Sequence, residues 1–368
     1  MTKICCIFNY APHYRSAVYR MMEDVLSCHF YFGNNVRANI LKIDYQIFNH
    51  EVKELKSIWF FNRVYWIAGS ARLLFKPYNT YLLTGEIHCL TNWVILALGR
   101  IFGKKVFLWS HGWYGKEAWT HSFVKKIFFS MAEGTFLYGE HARQLMIQNG
   151  INEKRLHVIY NSLDYEKTQL VRKQLIRNAV YREKFSNNNP VLIFIGRLAP
   201  IKKLDLLIHG LHKMAGNGKQ LNLVIVGDGN EKERLEIIVK QYGLTQNVWF
   251  FGPSYDEQKT GELIYNADLC VSPGNVGLTG IHSLSYGTPV ITHNNFAKQM
   301  PEFEAIENGV TGAFFVEENV ASLQNIIENW LMEHPQKDDQ LIKACYKRID
   351  DFYNPAYQVQ ILKNALGI

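Results

Sequence analysis

The chain has 368 residues, of which 48% are apolar and 20% charged, and its formal net charge is +7. This length allows two domains, and the composition is that of an ordinary globular protein. No apolar run reaches the ~18 to 20 residues of a membrane-spanning helix, and no recognisable nucleic-acid-binding module accompanies the positive charge. The six cysteines lack metal-ligand spacing and are expected to be reduced core thiols. We therefore expect a soluble, cytoplasmic protein that does not bind nucleic acid.

Short strands and helices alternate along the first half of the chain. A strand is predicted over Lys3–Phe8, and a helix follows the loop of residues 9–15 and ends near Leu26. Short apolar runs bounded by turns are typical of buried parallel strands. Further strands are predicted at Thr80–Leu83, Lys105–Trp109 and Gly134–Tyr138, and helices at Asn92–Ile101 and Phe123–Ala132. This order indicates an α/β domain with a doubly wound sheet, which we assign to residues 1–165.

A charged stretch over residues 166–189 is interpreted as a linker, and a second α/β domain is predicted over residues 190–349. Its predicted strands are Val191–Gly196, Leu221–Val226, Asn247–Gly252, Leu269–Ser272 and Pro289–Thr292, and its first helices are Lys203–Met214 and Glu231–Tyr242. A last helix, Asp350–Leu366, has apolar spacing. We expect residues 350–368 to pack back on the first domain.

Residues suited to an anionic ligand follow the first strand of the second domain. Gly196 ends this strand, and Arg197 and Lys202 follow on the connecting loop. Strands of an open α/β sheet present ligands at their carboxyl ends, and an arginine fork with a lysine charge suits a diphosphate. No Asp-x-Asp pair for a divalent metal stands at a strand end. We predict a diphosphate site that needs no metal or other cofactor.

Three further strand ends carry small residues that let a ligand approach the backbone. Gly227 and Gly252 end two of them, and a glycine-rich turn with Gly277 precedes a helix after the third. The amides at that helix start, around Gly277–Gly280, are expected to form an anion site with the helix dipole. Each turn alone is equally compatible with an ordinary tight connection. Together they predict a ligand site in this domain.

The ordered motifs Gly-Arg-Leu-x3-Lys, Val-Gly-Asp-Gly, the glycine-rich helix start and Gly-Thr-Pro-Val resemble glycosyltransferase family 4 and its GT-B relatives. The resemblance is clear over residues 191–312 and weaker in the first half, where it includes His111. It implies two Rossmann-like doubly wound domains that face each other across a cleft. It also implies retaining transfer from a UDP- or GDP-linked sugar without metal. Arg197 and Lys202 would hold the diphosphate as catalytic residues, and His111 would lie near the donor sugar.

The chain departs from this family at the sugar end of the predicted site. The family commonly has two glutamates separated by seven residues, and the corresponding positions are Gly274 and His282. Asn275 and His282 can still hydrogen-bond hydroxyl groups, so both are predicted to contact the donor. Glu302 and Glu304 are candidates for a nearby carboxylate.

The resemblance implies that the loop after the first strand contacts the acceptor or a phosphate. His13, Tyr14 and Arg15 can stack on sugar rings or pair with phosphate, although an ordinary exposed loop is an equal alternative. Basic-aromatic stretches recur in this half, including residues 72–78 and 125–129. They suggest a lipid-linked glycan acceptor and peripheral contact with the anionic inner face of the cell membrane, although each stretch alone fits better an amphipathic helix with a solvated basic edge. The expected role is the synthesis of a bacterial surface polysaccharide, such as capsule or O-antigen.

Two other functions remain open from the sequence. The missing glutamates are compatible with a non-catalytic sugar-nucleotide-binding partner. A nucleotide-sugar epimerase of the same fold would need acid/base carboxylates that the glycine-rich loop lacks.

Overall fold

The computed structural model describes residues 3–34 and 40–368, so residues 1–2 and 35–39 of the predicted first domain lie outside it. The chain divides into two compact units. The first contains residues 1–165 and 352–368, and the second contains residues 166–351.

The first unit is built on a parallel sheet, with an additional antiparallel hairpin. The strands are β1 (Ile4–Phe8), β2 (Cys28–Gly33), β3 (Lys53–Leu55), β4 (Ser57–Phe60), β5 (Val64–Ile67), β6 (Thr80–Thr84), β7 (Lys105–Ser110), β8 (Gly134–Leu137) and β9 (Leu156–Val158). The helices are α1 (Ser16–Leu26), α2 (Leu90–Ile101), α3 (Trp119–Ser130) and α4 (Glu140–Gln148). In the described residues the main sheet has the order β3-β2-β1-β6-β7-β8-β9, and β4 pairs with β5.

The second unit begins with two helices and continues as a second parallel sheet. Its helices are α5 (Tyr165–Arg172), α6 (Val180–Phe185), α7 (Leu204–Gly216), α8 (Lys232–Gln241), α9 (Glu257–Asn266), α10 (Leu278–Ser285), α11 (Val320–Glu333) and α12 (Asp339–Phe352). Its strands are β10 (Val191–Ile195), β11 (Asn222–Val226), β12 (Val248–Gly252), β13 (Leu269–Ser272), β14 (Val290–His293) and β15 (Gly312–Phe315). They lie in the order β12-β11-β10-β13-β14-β15.

Two segments differ from the sequence-based interpretation. Residues 166–189, interpreted as a linker, lie within the second unit, where the buried Tyr181 donates a 2.5 Å hydrogen bond to the carbonyl of Leu263. The helix predicted over Asp350–Leu366 is interrupted. α12 ends at Phe352, and a separate helix, α13 (Pro355–Leu366), follows. Asn354 caps it by accepting a hydrogen bond from the amide of Tyr357, and proline is favoured at such a first helical position. α13 belongs to the first unit.

Each sheet reverses its strand order at one place, and this positions a ligand crevice. The reversal lies between β1 and β6 in the first unit and between β10 and β13 in the second. Ligands of open α/β sheets bind outside the carboxyl ends of the strands at such switch points. In the second unit these ends lead into the loops of Lys202 and Gly277, and in the first unit into the loops of Arg15 and Glu86.

Candidate active site

Glycines at the ends of β10 and β11 bring two loops into close backbone contact. Gly196 has a φ of +146°, and a Cβ atom at Gly227 would lie 1.9 Å from the carbonyl oxygen of Gly196. No side chain fits there without moving the backbone. The hydroxyl of Thr279 donates a 2.7 Å hydrogen bond to the carbonyl of Ile195, which ties the start of α10 to the end of β10.

The loop after β13 pairs with the loop after β10 through the backbone. The amides of Gly274 and Asn275 donate to the carbonyls of Lys202 and Ile201 at 3.0 and 3.1 Å. A Cβ atom at Gly274 would lie 2.0 Å from the carbonyl oxygen of Ile201. This backbone therefore excludes a glutamate side chain at position 274.

Lys202 is held at the same loop by carbonyl groups. Its ammonium donates to the carbonyl of Asn275 at 2.5 Å and lies 3.7 Å from where a Cβ of Gly277 would be. Burial lowers the pKa of Lys202 to about 8, and the charge of the buried Glu302 opposes that shift. The lysine is therefore mainly cationic at neutral pH, beside the turn that leads into α10.

The start of α10 adds backbone donors next to this cation. Gly277 has a φ of +51° and precedes the first helical residue, Leu278. The first amides of a helix, here those of Leu278 and Thr279, have no partner within the helix and carry the positive end of its dipole. Arg197 is exposed on the loop after β10. At the end of β12, a Cβ atom at Gly252 would meet no atom within 4 Å, so this strand end is open.

A carboxylate from another element reaches His282. Glu257, at the start of α9, accepts a 2.8 Å hydrogen bond from Nε2 of His282 and a 2.7 Å bond from the hydroxyl of Tyr286. Burial raises the pKa of Glu257, but the hydrogen bond and charge of His282 outweigh it and bring the pKa to about 2. Glu257 is therefore ionised at neutral pH and fixes the orientation of His282.

The sequence patterns did not identify Glu257 and Gln299 as residues of the site. The side chain of the buried Gln299 accepts from the amide of Val276 at 2.9 Å and donates to the hydroxyl of Thr292 at 2.8 Å, and so holds the loop before α10. Neither residue belongs to a recognisable motif. The two glutamates that the sequence suggested as a nearby carboxylate differ in burial. Glu302 is 2% exposed, and Glu304 is half-buried.

In the first unit, the loops at the switch point enclose a cavity of about 1010 Å³. Residues after β1, β6, β7 and β8 line it, including Asn9, Glu86, His111 and Tyr138. Of the three predicted acceptor residues, Tyr14 and Arg15 line this cavity. His13 does not; it is exposed, and its ring nitrogen Nδ1 lies 3.2 Å from the carbonyl oxygen of Leu41.

His111 lies in this cavity after the end of β7, with its ring centroid 4.6 Å from that of Tyr138. Burial, together with the positive charges of Arg15 and Lys125, lowers the pKa of His111 to about 4. Its imidazole is therefore neutral at physiological pH.

Lys125 differs from the expectation of a basic surface stretch. It is buried and donates to a carboxylate oxygen of Glu117 at 2.7 Å and to the carbonyl of Gly112 at 2.8 Å. It therefore belongs to the wall of the cavity. Exposed apolar side chains do occur on α3, where Trp119 is 79% and Phe123 54% exposed.

The match to a known protein family lies within the second unit. Residues 177–348 match the family described as Glycosyl transferases group 1. An uncharacterized glycosyltransferase of Methanocaldococcus jannaschii is 25% identical over 149 residues, which cover 40% of this chain and 36% of that protein. The chain spans less than half the length of the curated relatives it matches.

Solved structures match over the whole chain, among them those of HepE and WaaB. HepE of Anabaena in complex with UDP has 17% identity and a TM-score of 0.73, with 100% of both chains covered. The lipopolysaccharide outer core galactosyltransferase WaaB has 17% identity and a TM-score of 0.74, with 100% of this chain and 99% of that one covered. The predicted α/β fold with two doubly wound parallel sheets of the GT-B type is confirmed.

Within residues 3–34 and 40–368, no helix is both long and apolar enough to cross a membrane. The same residues contain no group of three or more His, Cys, Asp or Glu side chains arranged to hold a metal ion.

Proposed function

We propose that this protein is a glycosyltransferase that moves a sugar from a UDP- or GDP-linked donor to a glycan acceptor with retention of configuration. The observation that carries the proposal is the position of Lys202. Its ammonium lies beside the free amides at the start of α10, at the switch point of the sheet, within the region that matches group 1 glycosyltransferases. A cation and oriented amides at one point are suited to a diphosphate.

In the proposed reaction, the bond between the anomeric carbon and the diphosphate oxygen breaks while an acceptor hydroxyl bonds to that carbon. The hydroxyl proton passes to the departing diphosphate. Negative charge grows on the departing diphosphate. Lys202 and the amides of Leu278 and Thr279 are placed to stabilise it without rearrangement, which accelerates the reaction because the interaction is stronger in the transition state. Arg197 adds a second cation from the loop after β10. The reaction is proposed to need no metal.

The remaining contacts are assigned to the sugar, the nucleoside and the acceptor. Asn275 and the oriented His282 are proposed to bind donor hydroxyls, and the open strand end at Gly252 leaves room for the base. The neutral imidazole of His111 is suited to a single hydrogen bond with a bound substrate and does not act there as a cation. The cavity of the first unit, with Tyr14 and Arg15, is the proposed acceptor site.

We further propose that the acceptor is lipid-linked and that α3 contacts an anionic membrane surface. Trp119 and Phe123 stack with ring centroids 6.2 Å apart, and Ile127 is 44% exposed one turn further on the same face. The exposed Lys126 lies beside them. Apolar side chains flanked by lysine are typical of an interfacial helix. Such an acceptor fits a role in surface polysaccharide synthesis at the cytoplasmic side of a bacterial membrane.

The test is turnover with purified protein, a panel of UDP- and GDP-sugars and lipid-linked acceptors. Release of nucleotide diphosphate, with an anomeric configuration in the product equal to that of the donor by NMR, is the expected result. Absence of release across the full panel would overturn the proposal.

The exclusion of a carboxylate at Gly274 favours one alternative, a non-catalytic binder of sugar nucleotides. Calorimetry of nucleotide-sugar binding, together with mass spectrometry of the donor, distinguishes the two functions. A binder takes up the nucleotide sugar, releases no nucleotide diphosphate, and leaves the donor mass unchanged.

A further inference from the structure

Arg15 occupies an unusual position in the cavity of the first unit. Its guanidinium lies over two aromatic rings, 5.2 Å from the centroid of Trp109 and 5.1 Å from that of Tyr138. It donates hydrogen bonds to the hydroxyls of Tyr138 and, at 3.4 Å, Tyr19. All of these partners are neutral groups.

Neither carboxylate that lines the cavity compensates this charge. Glu117 pairs with Lys125 at 2.7 Å, and Glu86 accepts from Asn9 at 3.0 Å and from Tyr65 at 2.6 Å. Throughout residues 3–34 and 40–368, no carboxylate forms an ion pair with Arg15. Arg15 is half-buried, and a cation that is partly removed from water without a counter-charge loses solvation free energy that no ion pair returns.

The cavity wall contains a second polar group whose hydrogen-bonding capacity is not used within the described residues. Nδ1 of His111 is buried and has no hydrogen-bond partner in the part of the chain that the structure describes. The His111 ring contacts the same Tyr138 ring over which Arg15 lies. A neutral imidazole can donate one hydrogen bond, and a guanidinium can donate two in parallel to one oxyanion.

We propose that Arg15 and His111 bind an oxyanion carried by the acceptor, either a phosphate ester or a sugar carboxylate. This inference rests on the proposed function, because it takes the cavity to be the acceptor site. The volume of about 1010 Å³ far exceeds that of one phosphate and leaves room for a larger molecule that carries the anion. The aromatic lining supplies faces on which sugar rings stack.

The experiment measures binding of three probes by calorimetry at constant ionic strength: glucose 1-phosphate, glucuronate and glucose. The proteins are the wild type, Arg15→Met and Arg20→Met. Arg20 is an exposed arginine on α1, so its variant removes the same charge outside the cavity. We expect the wild type and Arg20→Met to bind one of the anions at least about tenfold more tightly than glucose. Arg15→Met should lose this preference. The two anionic probes show which source of the oxyanion is used.

Equal binding of anions and glucose by the wild type, or a preference that survives in Arg15→Met, overturns the inference. If Arg15→Met does not fold, Arg15→Lys takes its place. It keeps the charge but lacks the planar fork, so the preference should weaken in a protein that still binds UDP. An unchanged preference in Arg15→Lys also counts against the two-donor site.

Nucleotide release separates this inference from the proposed function. Anion preference without any sugar transfer leaves the subsite intact and refutes the transferase. Sugar transfer without an Arg15-dependent preference refutes only the subsite.

Discussion

The two units place their candidate sites at the same topological position but build them from different parts of the chain. In the second unit, backbone atoms dominate: the carbonyl of Asn275 holds Lys202, and the loops after β10 and β13 pair through amides and carbonyls. In the first unit, side chains dominate, with aromatic rings, ion pairs and His111 around a large cavity. A backbone-built site suits a ligand portion that many enzymes share, and a side-chain-built site suits a portion that differs between them.

The two central cations show the same contrast. Lys202 has carbonyl partners and the opposing charge of Glu302, so it is held in place before any ligand arrives. Arg15 has aromatic rings and hydroxyls instead. The contacts of Lys202 therefore fix the position of its charge, whereas the contacts of Arg15 leave its charge without a counter-charge.

Removal of Lys202 should have the largest effect on catalysis. We expect Lys202→Met to lower kcat about 10²- to 10³-fold, as loss of one preorganised transition-state donor does, with a smaller change in KM. Steady-state kinetics with the active donor measures this. The matched control is Lys203→Met, which removes the next lysine, an ion-pair partner of Glu318, and should change kcat less than about twofold. An equal loss in both variants would contradict the assignment.

A side chain at position 274 tests whether the donor loop depends on backbone contact. Gly274→Ala should destabilise the protein by about 1–3 kcal/mol, because its Cβ would overlap the backbone of Ile201. Gly274→Glu should destabilise the protein at least as much, because its side chain begins with the same Cβ atom. Thermal unfolding of both variants is the measurement. Gly216→Ala is the control, since a Cβ there meets no atom within 4 Å. Full stability of Gly274→Ala would show that this contact is not rigid.

The pKa of Lys202 predicts how donor binding depends on pH. The lysine is cationic below its folded-state pKa of about 8, so affinity for UDP should fall as pH rises above that value, by at most about tenfold per pH unit. Titration calorimetry between pH 7 and about 9.5 should show this in the wild type and a flat profile in Lys202→Met. The stability of the ligand-free protein depends on pH with the opposite sign. Because burial lowers the pKa from 10.5, the unfolded chain binds more protons between about 8 and 10.5, and this lysine's contribution to stability rises with pH.

The smallest expected effect concerns the carboxylate that orients His282. Glu257→Gln should raise the Kd for the nucleotide sugar about tenfold or less, because it weakens a charge-assisted hydrogen bond to a residue proposed to contact the donor. His282→Ala should give a similar increase, and the double variant should add little more. Glu262→Gln on the same helix, which breaks a pair with Lys259, serves as the control. Additive effects in the double variant would mean that the two residues act separately.

Much of the second unit can be recognised from the order of residues alone. Apolar runs mark β10, β11 and β13, and Gly196, Gly227 and Gly277 follow strands or precede a helix, because close backbone approach needs residues without side chains. The position of Lys202 on its loop follows from the same motif. These features are local, so short windows of sequence contain them.

The partners of the side chains lie beyond such windows. Glu257 is 25 residues from His282, and Tyr138 is 123 residues from Arg15; folding alone brings each pair together. Lys125, expected at the surface from its basic neighbours, is buried because Glu117 and the carbonyl of Gly112 satisfy its ammonium. The site at Arg15 depends on which charges are compensated. Whether a charged side chain has a counter-charge depends on distances between residues remote in the chain, and the order of residues does not contain those distances.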